Sequence, residues 1–163
     1  MKRALLFILF AGLVGVSPGA SAQDDAIAWQ GRTADGTTIH FDPRHLARPA
    51  ILLFWATWCP YCEALMPYVQ HVQDAAGRDR LDVYAIDIKD DGDPVKTLRG
   101  RKLGFTPILD GDAIADRYAV QGTPGLFLVD ARGKIIYRRS GGDAPEKVEQ
   151  ALRAKLHLAA PTR

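Results

Sequence analysis

The sequence predicts a single α/β domain, a central mixed β-sheet flanked by helices. Three observations carry this. The continuous apolar run "AILLFWA" at 50–56 has the composition of a strand buried on both faces, and "RLDVYAID" at 80–87 reads as another buried strand. Each is followed by a helical pattern, the alternation that builds parallel pairing. Two further strand-like runs around a tight turn, then an amphipathic helix, close the chain and add antiparallel pairing.

Taken in order, the N-terminus is set apart. Lys2 and Arg3 precede an apolar run from Ala4 to Val16, and "ASA" follows at 20–22. This is the three-part pattern of a secretory signal peptide, with cleavage expected after Ala22. The run has 13 residues, short of the ~20 needed to span a bilayer. Residues 1–22 are therefore read as a leader and residues 23–163 as the working domain. Without Lys2 and Arg3 the 21 basic residues fall to 19, matching the 19 acidic ones. A balanced charge gives no sign of nucleic-acid or membrane-surface binding. Hydrophobic content of 47% with 25% charged residues is that of a globular domain, and 163 residues suffice for one real core.

"AIAWQ" and "TTIHF" flank the turn-rich "GRTADGT" and predict an N-terminal β-hairpin; "DPRHLARP" follows as a loop. After the strand at 50–56, helical spacing runs from Cys59 to about Ala76, with Leu65, Met66, Val69 and Val72 on one face. Pro60 suits the first turn, and Pro67 should kink the helix. Beyond the strand at 80–87, a short helix begins at Asp93-Pro94, "FTPILD" reads as a short strand and "DAIADRYAV" as a short helix. "GLFLVD" and "KIIYRRS" form a hairpin around "ARG". A terminal helix over "APEKVEQALRAKLHL" presents Val148, Leu152 and Leu156.

The chemistry sits in "FWATWCPYC" at 54–62, which holds the chain's two cysteines. Cys59 and Cys62 are one helical turn apart and share a face. They can form a disulfide or stand as two thiols with little backbone movement. Cys59 lies at the helix start, where free N–H groups and the helix dipole favour a thiolate. Cys62 lies deeper and would resolve the mixed disulfide that Cys59 forms. A disulfide closing so small a loop constrains the unfolded chain little, so a purely structural bridge is a poor explanation. Zinc usually needs four ligands, and His40, His45, His71 and His157 show no paired spacing. "DIKDDGD" fails as a calcium loop, because Lys89 and Leu98 occupy ligand positions. Trp55 is assigned to the core, and Trp58 flanks Cys59 as a candidate shield.

"FWATWCPYCEALMP" resembles the active-site segment of the thioredoxin superfamily, and in particular the secreted TlpA/ResA-like thiol-disulfide oxidoreductases. "VQGTPGLFLVDARGKIIYRRSGG" resembles the same family's cis-proline loop and hairpin. The segment between "YAIDI" and "RYAVQG" is similar to that branch's central insertion. The resemblance covers most of 50–142. It implies the thioredoxin fold and places Pro124 opposite the cysteines. The residues alone leave Thr123-Pro124 open between a trans turn and a constrained cis one; with the resemblance, a cis bond facing Cys59 is expected. Trp58, Pro60, Tyr61, Thr123 and Pro124 are the supporting site residues, with the Thr123 backbone available to pair with a bound peptide. No metal or separate cofactor is called for, since the redox group is the Cys59–Cys62 disulfide.

Two positions depart from the relatives. Thioredoxins commonly carry a buried Asp where this chain has Leu53, and TlpA/ResA-like proteins often carry Glu where it has Leu65. The group that accepts the Cys62 proton is thus unassigned, and Glu63 is read as a surface residue complementing the helix dipole. The leading functional expectation is a monomeric periplasmic reductase of disulfides in exported proteins, with a membrane thiol-disulfide electron donor. Apocytochrome c is a client suggested by the resemblance. The alternatives are a disulfide oxidase or isomerase, or a non-catalytic binding module; isomerases carry a dimerisation domain for which this chain has no room.

Overall fold

The computed structural model describes residues 25–89, 92–139 and 141–160; the expected leader lies outside them. Strands β1 (Trp29–Arg32) and β2 (Thr38–Phe41) pair antiparallel as a separate two-stranded ribbon. A 3-10 turn at Pro43–His45 interrupts the expected loop, because Asp42 caps it by accepting the Arg44 N–H. Strand β3 (Ala50–Trp55) leads into helix α1 (Pro60–Ala76), and β4 (Asp82–Asp87) follows. Helix α2 (Pro94–Gly100), β5 (Thr106–Ile108) and α3 (Asp112–Arg117) come next. The hairpin β6 (Gly125–Val129) and β7 (Ile135–Arg138) and helix α4 (Pro145–Lys155) complete the chain.

The five-stranded sheet has the order β5-β4-β3-β6-β7. β3 pairs parallel with β4 and antiparallel with β6, so the sheet is mixed about its most buried strand. All six residues of β3 are buried, as its unbroken apolar run requires. Each fully buried Leu or Ile side chain there contributes about 1.5–3 kcal/mol over an exposed one. Alternation sorts the strands' side chains. Ile51, Leu53 and Trp55 meet α1, α2 and α4 on one face, while Leu52 and Phe54 meet α3 and the N-terminal ribbon on the other.

β5 is a parallel edge strand beside β4, and a bridge from Arg32 to Leu109 ties the N-terminal ribbon to that edge. One boundary differs from the sequence expectation. β4 starts at Asp82 rather than Arg80, because Arg80 and Leu81 donate their N–H groups back to Gly77 in a turn. That turn begins at the α1 C-cap, where Gly77 takes a φ of 91° that a side chain would resist. Helix α1 runs as one element through Pro67.

Candidate active site

The site forms where β3 ends and α1 begins. Cys59 is the N-cap of α1: its carbonyl accepts the N–H groups of Cys62 and Glu63, each at 3.1 Å. Its Sγ also accepts the Cys62 N–H at 3.1 Å, the hydrogen bond a capping side chain supplies. Cys59 and Cys62 are joined as a disulfide, with Cα atoms 5.3 Å apart. Pro60 occupies the first helical position, where its missing N–H costs nothing.

The helix start is less open than the sequence suggests. Cys59 is only 4% exposed and Cys62 1%. Exposure falls instead on the neighbours, Trp58 at 59% and Tyr61 at 73%. The Cys59 sulfur accepts the Cys62 N–H, and the residue is covered even at a helix end. Trp58 is not a wall of the groove described below; its Nε1 donates to the Lys89 carbonyl at 2.9 Å. Trp55 is fully within the core, as expected.

Thr123-Pro124 is cis. Gly125, the next residue, pairs with Phe54 in the β3–β6 register, so the proline loop stands beside the segment that carries the cysteines. Between this loop and α1 lies a groove of about 830 Å³. Tyr61, Ala64 and Leu65 form its helix side, Thr123 and Pro124 its loop side, and residues 141–145 its far end. The structure therefore brings Tyr61, Thr123 and Pro124 together.

Several contacts were not foreseen. Arg139 donates from Nη1 to the Pro124 carbonyl at 3.2 Å and from Nη2 to the Asp143 carbonyl at 3.1 Å, bracing both sides of the groove's end. Nothing in "YRRSGG" distinguished that arginine. Arg101 pairs with Glu63 at 3.2 Å, so the acid beside Cys62 is matched by a cation from the end of α2. Leu53 and Leu65 are buried, and Leu53 registers with Ala85 on β4, so both positions are apolar in fact as well as in sequence. Asp87 at the end of β4 is buried; an acid ending an apolar run was the signal for it. Among the described residues no three of His, Cys, Asp and Glu gather to hold a metal ion.

A buried cysteine pair capping a helix, beside a cis-proline loop on a mixed sheet, defines a protein built for thiol–disulfide exchange. The chain belongs to the thioredoxin-like domain family, whose model matches residues 44–156. It is 29% identical over 157 residues to the thiol:disulfide interchange protein DsbE homolog of Paracoccus denitrificans, covering 82% of this chain and 80% of that protein. It is 32% identical over 104 residues to the thiol-disulfide oxidoreductase ResA of Bacillus thuringiensis, but that match spans 63% of this chain and 60% of the relative. Among solved structures, a secreted Mycobacterium tuberculosis disulfide oxidoreductase homologous to E. coli DsbE superposes with a TM-score of 0.62 at 25% identity, over 77% of this chain and 95% of that one. The class is that of the thioredoxin-like thiol-disulfide oxidoreductases.

Proposed function

We propose that the chain is exported by a cleaved leader at residues 1–22 and works as a monomer outside the cytoplasm, in residues 23–163, reducing disulfides of exported proteins. A membrane thiol-disulfide donor would recharge it, and apocytochrome c is one client of suitable kind. The secreted mycobacterial relative supports the compartment. In this reading the Cys59 thiolate attacks a client disulfide and Cys62 resolves the mixed disulfide. The groove takes the client in extended form, with the Thr123 backbone pairing to it and Pro124 and Tyr61 as its walls; Pro60 and Trp58 flank Cys59 outside that lining.

The observation that carries the direction of electron flow is the setting of Cys59. A strongly stabilised thiolate makes an oxidising disulfide. Here the stabilisation comes from the helix N-terminus, whose Cys62 N–H reaches Sγ. Pro60 adds no donor, Tyr61 no positive charge, and the nearby Glu63–Arg101 pair is charge-matched. A moderately favoured thiolate gives a reducing couple.

Equilibration in dithiothreitol or glutathione buffers tests this. The expected midpoint lies nearer −270 mV, about the value of thioredoxin, than −120 mV, about that of a strong oxidant. A midpoint above about −180 mV would replace the reductase reading with an oxidase or isomerase. Failure to turn over insulin disulfides at all would leave a binding module.

A further inference from the structure

We infer that Asp87 is the group that takes the Cys62 proton when Cys62 resolves a mixed disulfide. The inference rests on the exchange chemistry proposed above. Cys62 is 1% exposed, so its thiol proton has no direct route to water. The two positions from which relatives supply an acid are Leu53 and Leu65, both buried. Among the described residues, the buried polar side chains are Gln73, Asp87 and Glu149. Gln73 does not titrate. Glu149 is held by Arg153 at 2.8 Å and faces His71 at 3.8 Å. His71 is nine residues beyond Cys62, about 13 Å along the helix.

Asp87 is placed differently. Val83 and Ala85 of β4 pack with α1 and the cysteines, whereas Ile86 and Ile88 pack on the opposite face. Strand alternation puts Asp87 with the first set. It registers with Trp55, which shares the cluster of Cys59 and Cys62, and lies at the strand end from which α1 departs. Its carbonyl is fixed by the Gly111 N–H at 2.7 Å. The charged groups on the surrounding elements are Glu63 with Arg101, Asp93 and Lys96 at the start of α2, Lys89 after β4, and Asp112 of α3, which accepts the Lys89 N–H. Each of these is exposed or, for Arg101, partly exposed; Asp87 is the carboxylate that the sheet itself carries into the buried site.

The step balances as follows. The Cys59 thiolate attacks the client disulfide, and the first client sulfur leaves as a thiolate. The Cys62 thiol gives its proton to the Asp87 carboxylate. The Cys62 thiolate attacks Cys59 Sγ, the Cys59–client bond breaks, and its electron pair leaves with the second client sulfur. Two electrons have passed to the client; both departing thiolates take protons from solvent, and Asp87 returns its proton there.

A chromogenic aryl disulfide tests this in a single turnover of the reduced protein. The first chromophore leaves when Cys59 attacks, the second when Cys62 resolves. In Asp87→Asn the first phase should keep its rate within about twofold, and the second should slow about 100-fold near neutral pH and recover as pH rises. Asp87→Glu should restore most of the second phase. A second phase in Asp87→Asn with the wild-type rate and pH profile overturns the inference while leaving the exchange reading intact. Absence of the first phase in the wild-type protein overturns both. If Asp87→Asn does not fold, carboxyl NMR of the wild-type protein decides: the Asp87 titration should move between the oxidised and reduced forms, and identical titrations overturn the assignment.

Discussion

The two faces of the sheet are built from different materials. The face covered by α1, α2 and α4 is mainly aliphatic, with Ile51, Leu53, Met66, Val69 and Leu126 around the cysteine pair. The opposite face is aromatic: Trp29 stacks on Phe41 at 5.1 Å, both meet Tyr84 edge-on, and Phe54, Tyr118 and Phe127 form a second group. Arg138 lies 4.6 Å over the Phe127 ring at its margin. One face holds reactive sulfur in a setting of few polar groups; the other closes the fold with rings that lock against the N-terminal ribbon. Chemistry and closure are thereby divided by β3, which belongs to both.

The largest effect is expected at the sulfur itself. Cys59→Ser should abolish reduction of insulin disulfides. Cys62→Ala should trap mixed disulfides on Cys59, visible as a mass adduct. A client captured on Cys62 in the reciprocal variant would reverse the roles. In both variants the aromatic face should be untouched, so near-ultraviolet dichroism should keep its folded pattern apart from the disulfide's own contribution.

A smaller effect is expected where α4 is pinned to the reactive face. Glu149 is buried and its partner Arg153 partly so, and Arg153 also reaches the His71 carbonyl of α1. Arg153→Met leaves Glu149 buried without that cation and should cost about 3 kcal/mol in urea unfolding. The midpoint potential should stay unchanged, since the pair lies far down α1 from the cysteines. A shifted potential would mean that the two ends of α1 are coupled.

The smallest effect belongs to the aromatic face. The Tyr118 hydroxyl donates to the Ile27 carbonyl at 2.8 Å and accepts the Ile27 N–H at 2.9 Å. Burial pushes its phenol up from 10 to about 12, opposed by the backbone hydrogen bond and Arg117. The unfolded chain therefore loses this proton first, and binds fewer protons than the folded one between those values. Its contribution is complete below pH 10 and is lost as pH rises through about 12. Tyr118→Phe should cost about 1 kcal/mol at neutral pH and flatten the alkaline fall in stability. An alkaline slope unchanged by the substitution would assign the effect to Tyr84 or Tyr137, whose phenols burial also raises.

What was legible in the sequence followed from how local its signals were. The run at 50–55 could be buried only as a central strand, and Cys59, Pro60 and the spacing beyond them announced a helix start. The cis state of Thr123-Pro124 came from likeness to a family, since proline alone is compatible with both isomers. The covering of Cys59 was missed because exposure depends on what folds over a helix end, not on the end itself. Arg139 and Arg101 were missed for a related reason. Long cations read as surface residues until tertiary structure supplies a carbonyl or a carboxylate within reach. Asp87 drew no attention in the sequence, because a strand's last residue is given a face only once alternation and the register with Trp55 are known.

The Arg139 guanidinium makes the proline loop a bracket rather than a hinge. It ties the end of β7 at once to the Pro124 carbonyl and to the Asp143 carbonyl, where the chain turns toward α4. The proline loop and the Asp143 segment are thus already fixed to one another. If a client docks there as proposed, the conformational entropy lost would fall mainly on the incoming chain. Under the proposed reading, segments already extended and unstructured, as in a polypeptide that has not finished folding, would be accepted at least cost, while the same disulfide within a settled domain would first have to be unravelled.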